Sequence, residues 1–311
     1  MIGAEASPTT HAKAVDAVAP ASVQPLRRAS AFYELTKPGI TRMVMLTAAA
    51  GYYLASVPPF DIVGLLHALL GTGLAASGSL ALNQFVERDI DRAMGRTCGR
   101  PLPSGRLSPA AAVWFGMLLS VAGLAYLVAF ANVLTALLVA TSIVTYVVVY
   151  TPLKRRTWVA TLVGAVPGAL PVLAGWTAAH GSITTGGVAL FAVLFLWQMP
   201  HFYALAWMYR DDYRRAGFRL LTVSDVAGDR TVRHILGFTL ALVAASAVPG
   251  LIGLSGSLYM IGAIVLGGGF YGLARIFAHA RTDRNALRLF LGSVLYLPLL
   301  LLLMVADRLI G

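Results

Sequence analysis

The chain has 311 residues, 58% apolar and only 12% charged, with a mean hydropathy of +0.76. This excludes a water-soluble globular domain, in which about a quarter of residues are charged, and a single cysteine, Cys98, excludes an intrachain disulfide or a thiolate metal cluster. The net charge of +11 raises nucleic acid as a partner, and only the placement of that charge excludes it.

The first 28 residues are rich in Ala, Ser, Val and Pro and lack the apolar core of a secretory signal. They read as a disordered tail. Glu5, Asp16 and the lack of arginine before Arg27 argue against an organellar transit peptide, so a bacterial inner membrane is the simpler location than a mitochondrial one. Residues 29–311 are expected to form one membrane domain. Nine apolar runs follow, near residues 40–55, 62–82, 109–129, 133–150, 158–176, 186–207, 232–254, 257–277 and 287–310. Their length suits a hydrocarbon core of about 30 Å, and they are too uniformly apolar for barrel strands, so the fold class is an all-α polytopic bundle.

All but one of the 24 lysines and arginines fall in the N-terminal segment or in the connections after runs two, four, six and eight; Arg308 is the exception. The positive-inside rule places the N-terminus and these four connections in the cytoplasm and the C-terminus outside. The basic charge therefore reports topology and contact with the lipid bilayer and its anionic headgroups, not nucleic acid.

At the first run, Glu34, Lys37 and Arg42 flank Pro38 and Gly39, a helix start with proline in its first turn. After the second run, residues 83–106 hold three carboxylates and five arginines. If the helix continues through them, Asn83, Glu87 and Asp91 recur at i, i+4 and i+8 and stack on one face, each about 6 Å of rise from the next. Asp89 lies roughly 160° from Glu87 and reads as a solvated or arginine-paired group. One amide and two carboxylates suit a hard cation such as Mg²⁺, which keeps some waters and takes further oxygens from phosphate. Arginines beside them supply bidentate phosphate contacts.

The connection over residues 209–230 resembles that over 83–108: Asp211 and Asp212 precede Arg214, Arg215 and Gly217, much as Asp91 precedes Arg92 and Gly95. Two such clusters either close on a shared metal-diphosphate from both sides or are two solvated connections that only obey the topology rule. The other two connections are basic and read mostly as topology anchors; Lys154 follows a short Tyr-Thr-Pro turn, from which it either reaches phosphate or serves as another such anchor. Pro167, Pro171 and Pro200 interrupt apolar runs, and around Pro200 stand Trp197, Gln198, His201, Tyr203 and Trp207. No second histidine or cysteine stands at metal-ligand spacing from His201. An intramembrane histidine is a functional candidate by default, in substrate contact or in a structural hydrogen bond.

Four segments now carry a resemblance. They are Asn83-x3-Glu87-x3-Asp91; Met94-x-Arg96-Thr97-x2-Arg100-Pro101-Leu102-Pro103; Tyr150-Thr151-x-Leu153-Lys154-Arg155; and Trp197-Gln198-Met199-Pro200-His201-Phe202 with Asp212-Tyr213. Together they resemble the protohaem IX farnesyltransferases (haem O synthases), a branch of the intramembrane aromatic prenyltransferases, from about residue 34 to residue 298. Glu87 at the middle of the first motif matches the haem branch, whereas the adjacent Asp211 and Asp212 depart from the DxxxD of the wider superfamily.

The resemblance implies a nine-helix bundle around a central cavity, capped by the two acidic connections. It implies farnesyl transfer from farnesyl diphosphate to the vinyl group of haem b, assisted by Mg²⁺. Asn83, Glu87, Asp91 and Asp212 would hold metal, with Asp211 as a fifth ligand. Arg96 and Arg100 would hold diphosphate, with Lys37, Arg42 and Lys154 as further partners. His201, with Trp197, Gln198 and Tyr203, would meet the porphyrin, and a downstream haem-modifying enzyme is a candidate partner. A prenyltransferase with a quinone or chlorin acceptor is the nearest alternative. A secondary transporter fits less well, because its ion site would lie near the midplane rather than at one membrane face.

Overall fold

The computed structural model of the protein describes residues 23–310. Most of the expected tail, up to residue 22, lies outside the described residues, and its remainder opens helix α1 (Val23–Leu35). Among the described residues every element is helical and no strand occurs. This follows from the apolar composition, since a chain in lipid must satisfy its backbone within each segment.

A sharp corner joins α1 to α2 (Pro38–Ala55). Pro38 disfavours right-handed helix at the residue before it, and Lys37 takes the left-handed conformation, at φ 44° and ψ 67°. A non-glycine residue held there costs on the order of 1–3 kcal/mol, which the surroundings must offset.

Eight helical runs among the described residues are long and apolar enough to cross a membrane. They are α3 (Ile62–Asp91), α4 (Pro109–Phe130), the run Val133–Leu153, α7 (Ala160–His180), α8 (Thr185–Met208), α11 (Asp229–Leu251), α12 (Ser257–His279) and α13 (Asp283–Ile310). These match eight of the nine expected spans. The ninth expected run falls on α2, whose 18 residues include Thr41, Arg42 and Thr47 and which is not among these eight. Two short helices, α9 (Arg210–Arg215) and α10 (Leu221–Ser224), fold within the connection after α8.

Helix α3 has 30 residues, about 45 Å of rise, so roughly 15 Å extends beyond a 30 Å core. That extension carries the acidic row. It is anchored by close packing on α4, where a Cβ at Gly78 would lie 2.5 Å from the Gly116 carbonyl and one at Gly123 would lie 2.5 Å from the Ala75 nitrogen. Backbones approach this closely only across small residues, the usual basis of helix association in lipid.

The run Val133–Leu153 is not one regular helix. It comprises α5 (Val133–Val144), a π-helical turn at Thr145–Tyr150, and α6 (Thr151–Leu153). Pro152 cannot donate to a carbonyl four residues back, and the preceding turn widens. In α7, Pro171 leaves the Pro167 carbonyl without its helical donor, and the Ser142 hydroxyl donates to it at 3.0 Å. A continuous buried cluster that includes Leu190, Met199, Tyr203, Leu242, Tyr259 and Phe277 then joins α8, α11 and α12.

Candidate active site

The end of α3 places Asn83, Glu87 and Asp91 on its buried face, as their spacing of four predicts; none is more than 6% exposed. Asp89 points outward with 69% of its side chain accessible, 3.5 Å from Arg88, as expected for the opposite face.

Each member of the buried row meets a cation. Lys37 donates from Nζ to Asn83 Oδ1 at 2.9 Å. The strained corner before Pro38 is therefore what brings this lysine to α3. Lys154 is ion-paired with Glu87, and its Nζ also stands 4.9 Å from the centre of the Phe218 ring. Arg100 donates to Asp91 Oδ2 at 2.7 Å. The loop carrying Arg100 is in turn fixed by Thr97, whose hydroxyl donates to the Asp91 carbonyl at 2.9 Å. Burial pulls the Lys37 ammonium down to about 8; Arg100 and Lys154 act in the same direction, against Glu87 and Asp91.

Helix α1 closes one side. Gln84 donates to the Leu35 carbonyl at 3.0 Å, and Arg106 grips Glu34 with both terminal nitrogens at 2.8 and 2.6 Å. That fork holds the Glu34 carboxyl below its ordinary range. Arg42, expected beside Lys37, is exposed on α2 and forms no ion pair or side-chain hydrogen bond among the described residues.

The second connection reaches the row through aromatic rings and not through its acids. Arg96 stacks over Tyr209 at 5.0 Å, and the Arg219 backbone N–H donates to the Lys154 carbonyl at 3.0 Å. Burial raises the Tyr213 phenol, and nearby Arg96 opposes that rise. Asp211 is paired with Arg214 at 2.6 Å, and Asp212 with Arg215, each within its own helical turn. Among the described residues no three acidic, histidine or cysteine side chains come together as a metal cluster, so these two aspartates do not join Glu87 and Asp91 in one.

The donor chemistry of the row nevertheless fits a hard cation. Its groups are oxygens, and Asp91 Oδ1 is buried without a hydrogen-bond partner. A buried carboxylate oxygen left unpaired is costly and needs a partner from outside the chain.

Three residues to which the sequence assigns no role complete the site, although Thr151 and Tyr213 stand within the motifs. Tyr146 donates to Asn83 Oδ1 at 3.2 Å, Asn83 donates from Nδ2 to the Thr151 hydroxyl at 3.0 Å, and Tyr213 stands half-buried near Arg96. Tyr146 and Thr151 are five residues apart, roughly 140° on a regular helix. Only the widened turn brings both to Asn83; the signal for it was Pro152.

On α8 the four residues expected at the porphyrin face three neighbours. Trp197 and His201, at i and i+4, share a face: Trp197 donates to the Ser293 carbonyl at 2.7 Å, and His201 Nδ1 lies 2.7 Å from the Ser293 hydroxyl. Their rings stack 5.0 Å apart, and Phe290 lies 4.7 Å from His201. Gln198 instead donates to the Ala165 carbonyl on α7 at 3.1 Å, and Tyr203 turns to His234 on α11 at 3.3 Å.

Comparison with known proteins matches residues 44–300 to the UbiA prenyltransferase family. The chain is 47% identical over 287 residues to protoheme IX farnesyltransferase of Solibacter usitatus, covering 89% of this chain and 98% of the relative. To the protein of that name from Sorangium cellulosum it is 46% identical over 248 residues, covering 79% and 87%. Among solved structures, a digeranylgeranylglyceryl phosphate synthase superimposes with a TM-score of 0.77 at 16% identity, covering 90% of this chain and 98% of that one. A UbiA homologue from Archaeoglobus fulgidus bound to DMAPP and Mg²⁺ superimposes at 0.67, also at 16% identity, covering 88% and 98%. The chain thus belongs to the UbiA prenyltransferase family, in the branch of the protoheme IX farnesyltransferases, and is a membrane-embedded prenyl transferase.

Proposed function

We propose that the chain transfers the farnesyl group of farnesyl diphosphate to a vinyl group of haem b, producing haem O in a bacterial inner membrane. The observation that carries this is the row Asn83, Glu87 and Asp91, buried at one helix end and met by Lys37, Lys154 and Arg100. With Arg96 close by, cations outnumber carboxylates, the balance needed to hold a diphosphate. The names of the relatives supply the acceptor and the prenyl donor.

Arg96, Arg100 and Lys154 bind the diphosphate oxygens, and Lys37 orients Asn83. Mg²⁺ held by Asn83, Glu87 and Asp91 would supply further neutralisation of charge developing on those oxygens. The carbon–oxygen bond to the farnesyl C1 breaks, diphosphate departs, and the allyl cation is attacked by the vinyl carbon. Water captures the resulting benzylic-type cation and loses a proton, which leaves the hydroxyl. Overall, farnesyl diphosphate, haem b and water give haem O, diphosphate and a proton. Apolar walls protect the first cation from water. Asp212, with 24% of its side chain exposed against 66% for Asp211, is the better placed of the two to leave its arginine and complete the metal site. His201 and Trp197 support the porphyrin, and Arg42 attracts the incoming anion from the surface.

Incubating purified protein with haem b, farnesyl diphosphate and Mg²⁺ tests the reaction. Haem O identified by mass is the expected product; farnesylation only of a quinone or chlorin acceptor would overturn the assignment.

A further inference from the structure

We propose that a groove between α8 and α11 receives the two carboxylates of the porphyrin at Arg230 and Arg233, an inference that rests on haem b being the acceptor. A cavity of about 410 Å³ opens there, lined by Leu196 of α8 and by Arg230, Arg233, His234, Gly237 and Phe238 of α11. Its cations lie in the first turns of α11 and its apolar residues deeper along the helix. That gradient suits an amphiphile with an anionic head and a flat apolar body.

Both arginines are available. Neither forms an ion pair among the described residues, because the neighbouring acids are engaged elsewhere: Asp229 with Arg281 at 2.6 Å, and Asp225 with the Thr231 backbone N–H and hydroxyl at 2.7 and 2.9 Å. Arg230 and Arg233 stand at i and i+3, one helical turn apart on one face, and the positive end of the α11 dipole adds to their attraction for anions. Two arginines match two carboxylates, whereas a phospholipid head offers a single phosphate.

Aromatic groups shape the wall. His234 meets the Trp158 ring edge-on at 5.2 Å, Arg230 lies 5.4 Å over the same ring, and Tyr203 reaches His234 Nδ1. Trp158 follows Lys154 by four residues, so the groove adjoins the segment that supplies Lys154 to the acidic row. Gly237 leaves the floor open: a Cβ there would meet nothing within 4 Å. A larger residue at that point fills the groove without touching the row.

The test uses the full chain in nanodiscs of zwitterionic phosphatidylcholine, with haem b and its dimethyl ester titrated by Soret absorption. The proteins compared are wild type, Arg230→Gln/Arg233→Gln and Gly237→Leu, each checked for an unchanged melting transition. Haem b binding is expected to weaken by roughly ten- to a hundredfold in both variants, and the ester should bind wild type about as weakly as haem b binds the arginine variant. Wild-type haem affinity in both variants, or equal affinity for diacid and ester, overturns the proposal. So does a variant that loses only phosphatidylglycerol binding in anionic nanodiscs, which would make this a lipid site. Haem O formation with an unchanged KM for haem in the variants would sink the groove alone; carboxylate-dependent binding without haem O formation would instead sink the proposed reaction.

Discussion

Lys154 and Glu87, 67 residues apart in sequence, are ion-paired at the end of α3 with side chains only 11% and 8% exposed. The pair ties the π-helical segment to the acidic row and places a cation where a diphosphate would bind. Removing one partner strands the other charge in a dry site, which costs about 3–5 kcal/mol for a buried pair. Lys154→Met and Glu87→Gln should each melt earlier in detergent, whereas the double variant should recover most of the loss. All three should turn over at least about a hundredfold more slowly. Recovery of activity in the double variant would show that the pair serves stability only.

Lys37 combines a left-handed backbone with a contact to Asn83. Glycine takes that conformation without steric cost, so Lys37→Gly should be more stable than Lys37→Ala by about 1–2 kcal/mol, read as a higher melting temperature. Both should lose activity to a similar extent. Equal stability of the two variants would show that the corner is not strained.

Tyr146 reaches Asn83 only because of the widened turn. Tyr146→Phe removes one hydrogen bond, about 1 kcal/mol, and should slow turnover by roughly fivefold with little change in melting. Replacing Pro152 by alanine should favour a regular helix and produce a larger loss than Tyr146→Phe. A Pro152→Ala variant with full activity would contradict the role given to the turn.

Asp211 and Asp212 are paired with exposed arginines, which contributes about 0–1 kcal/mol each. Neither substitution by asparagine should shift the melting temperature measurably. Asp212→Asn should raise the Mg²⁺ concentration for half-maximal activity several-fold, and Asp211→Asn should leave it unchanged. Equal Mg²⁺ dependence in wild type and Asp212→Asn would confine metal binding to the first row.

What could be read from the chain follows from which residues obey a regular period. Asn83, Glu87 and Asp91 keep a spacing of four on one long helix, so their shared face is legible in the sequence alone. Trp197 and His201 obey the same rule. Gln198 and Tyr203 do not, and grouping them at one porphyrin contact let Pro200 override the helical geometry that sends them to α7 and α11. The contribution of Tyr146 and Thr151 was hidden because a π-turn breaks the period. Lys37 depended on one backbone angle at a proline corner. Arg42, five residues further along, shares its charge but not that corner, and it stays on the surface. For the second connection, charge pattern suggested an acidic cap, yet the ring contacts of Tyr209, Tyr213 and Phe218 are what approach the row.

The most direct test follows both products at once, measuring diphosphate release and haem O formation with wild type and Asp91→Asn. In wild type the two should appear one to one with haem b present, and both should fall by at least about a hundredfold in a variant that retains helix content. Haem O formed at the wild-type rate by Asp91→Asn, or diphosphate released without any haem product, would contradict an acidic row that ionises a prenyl diphosphate for transfer to haem.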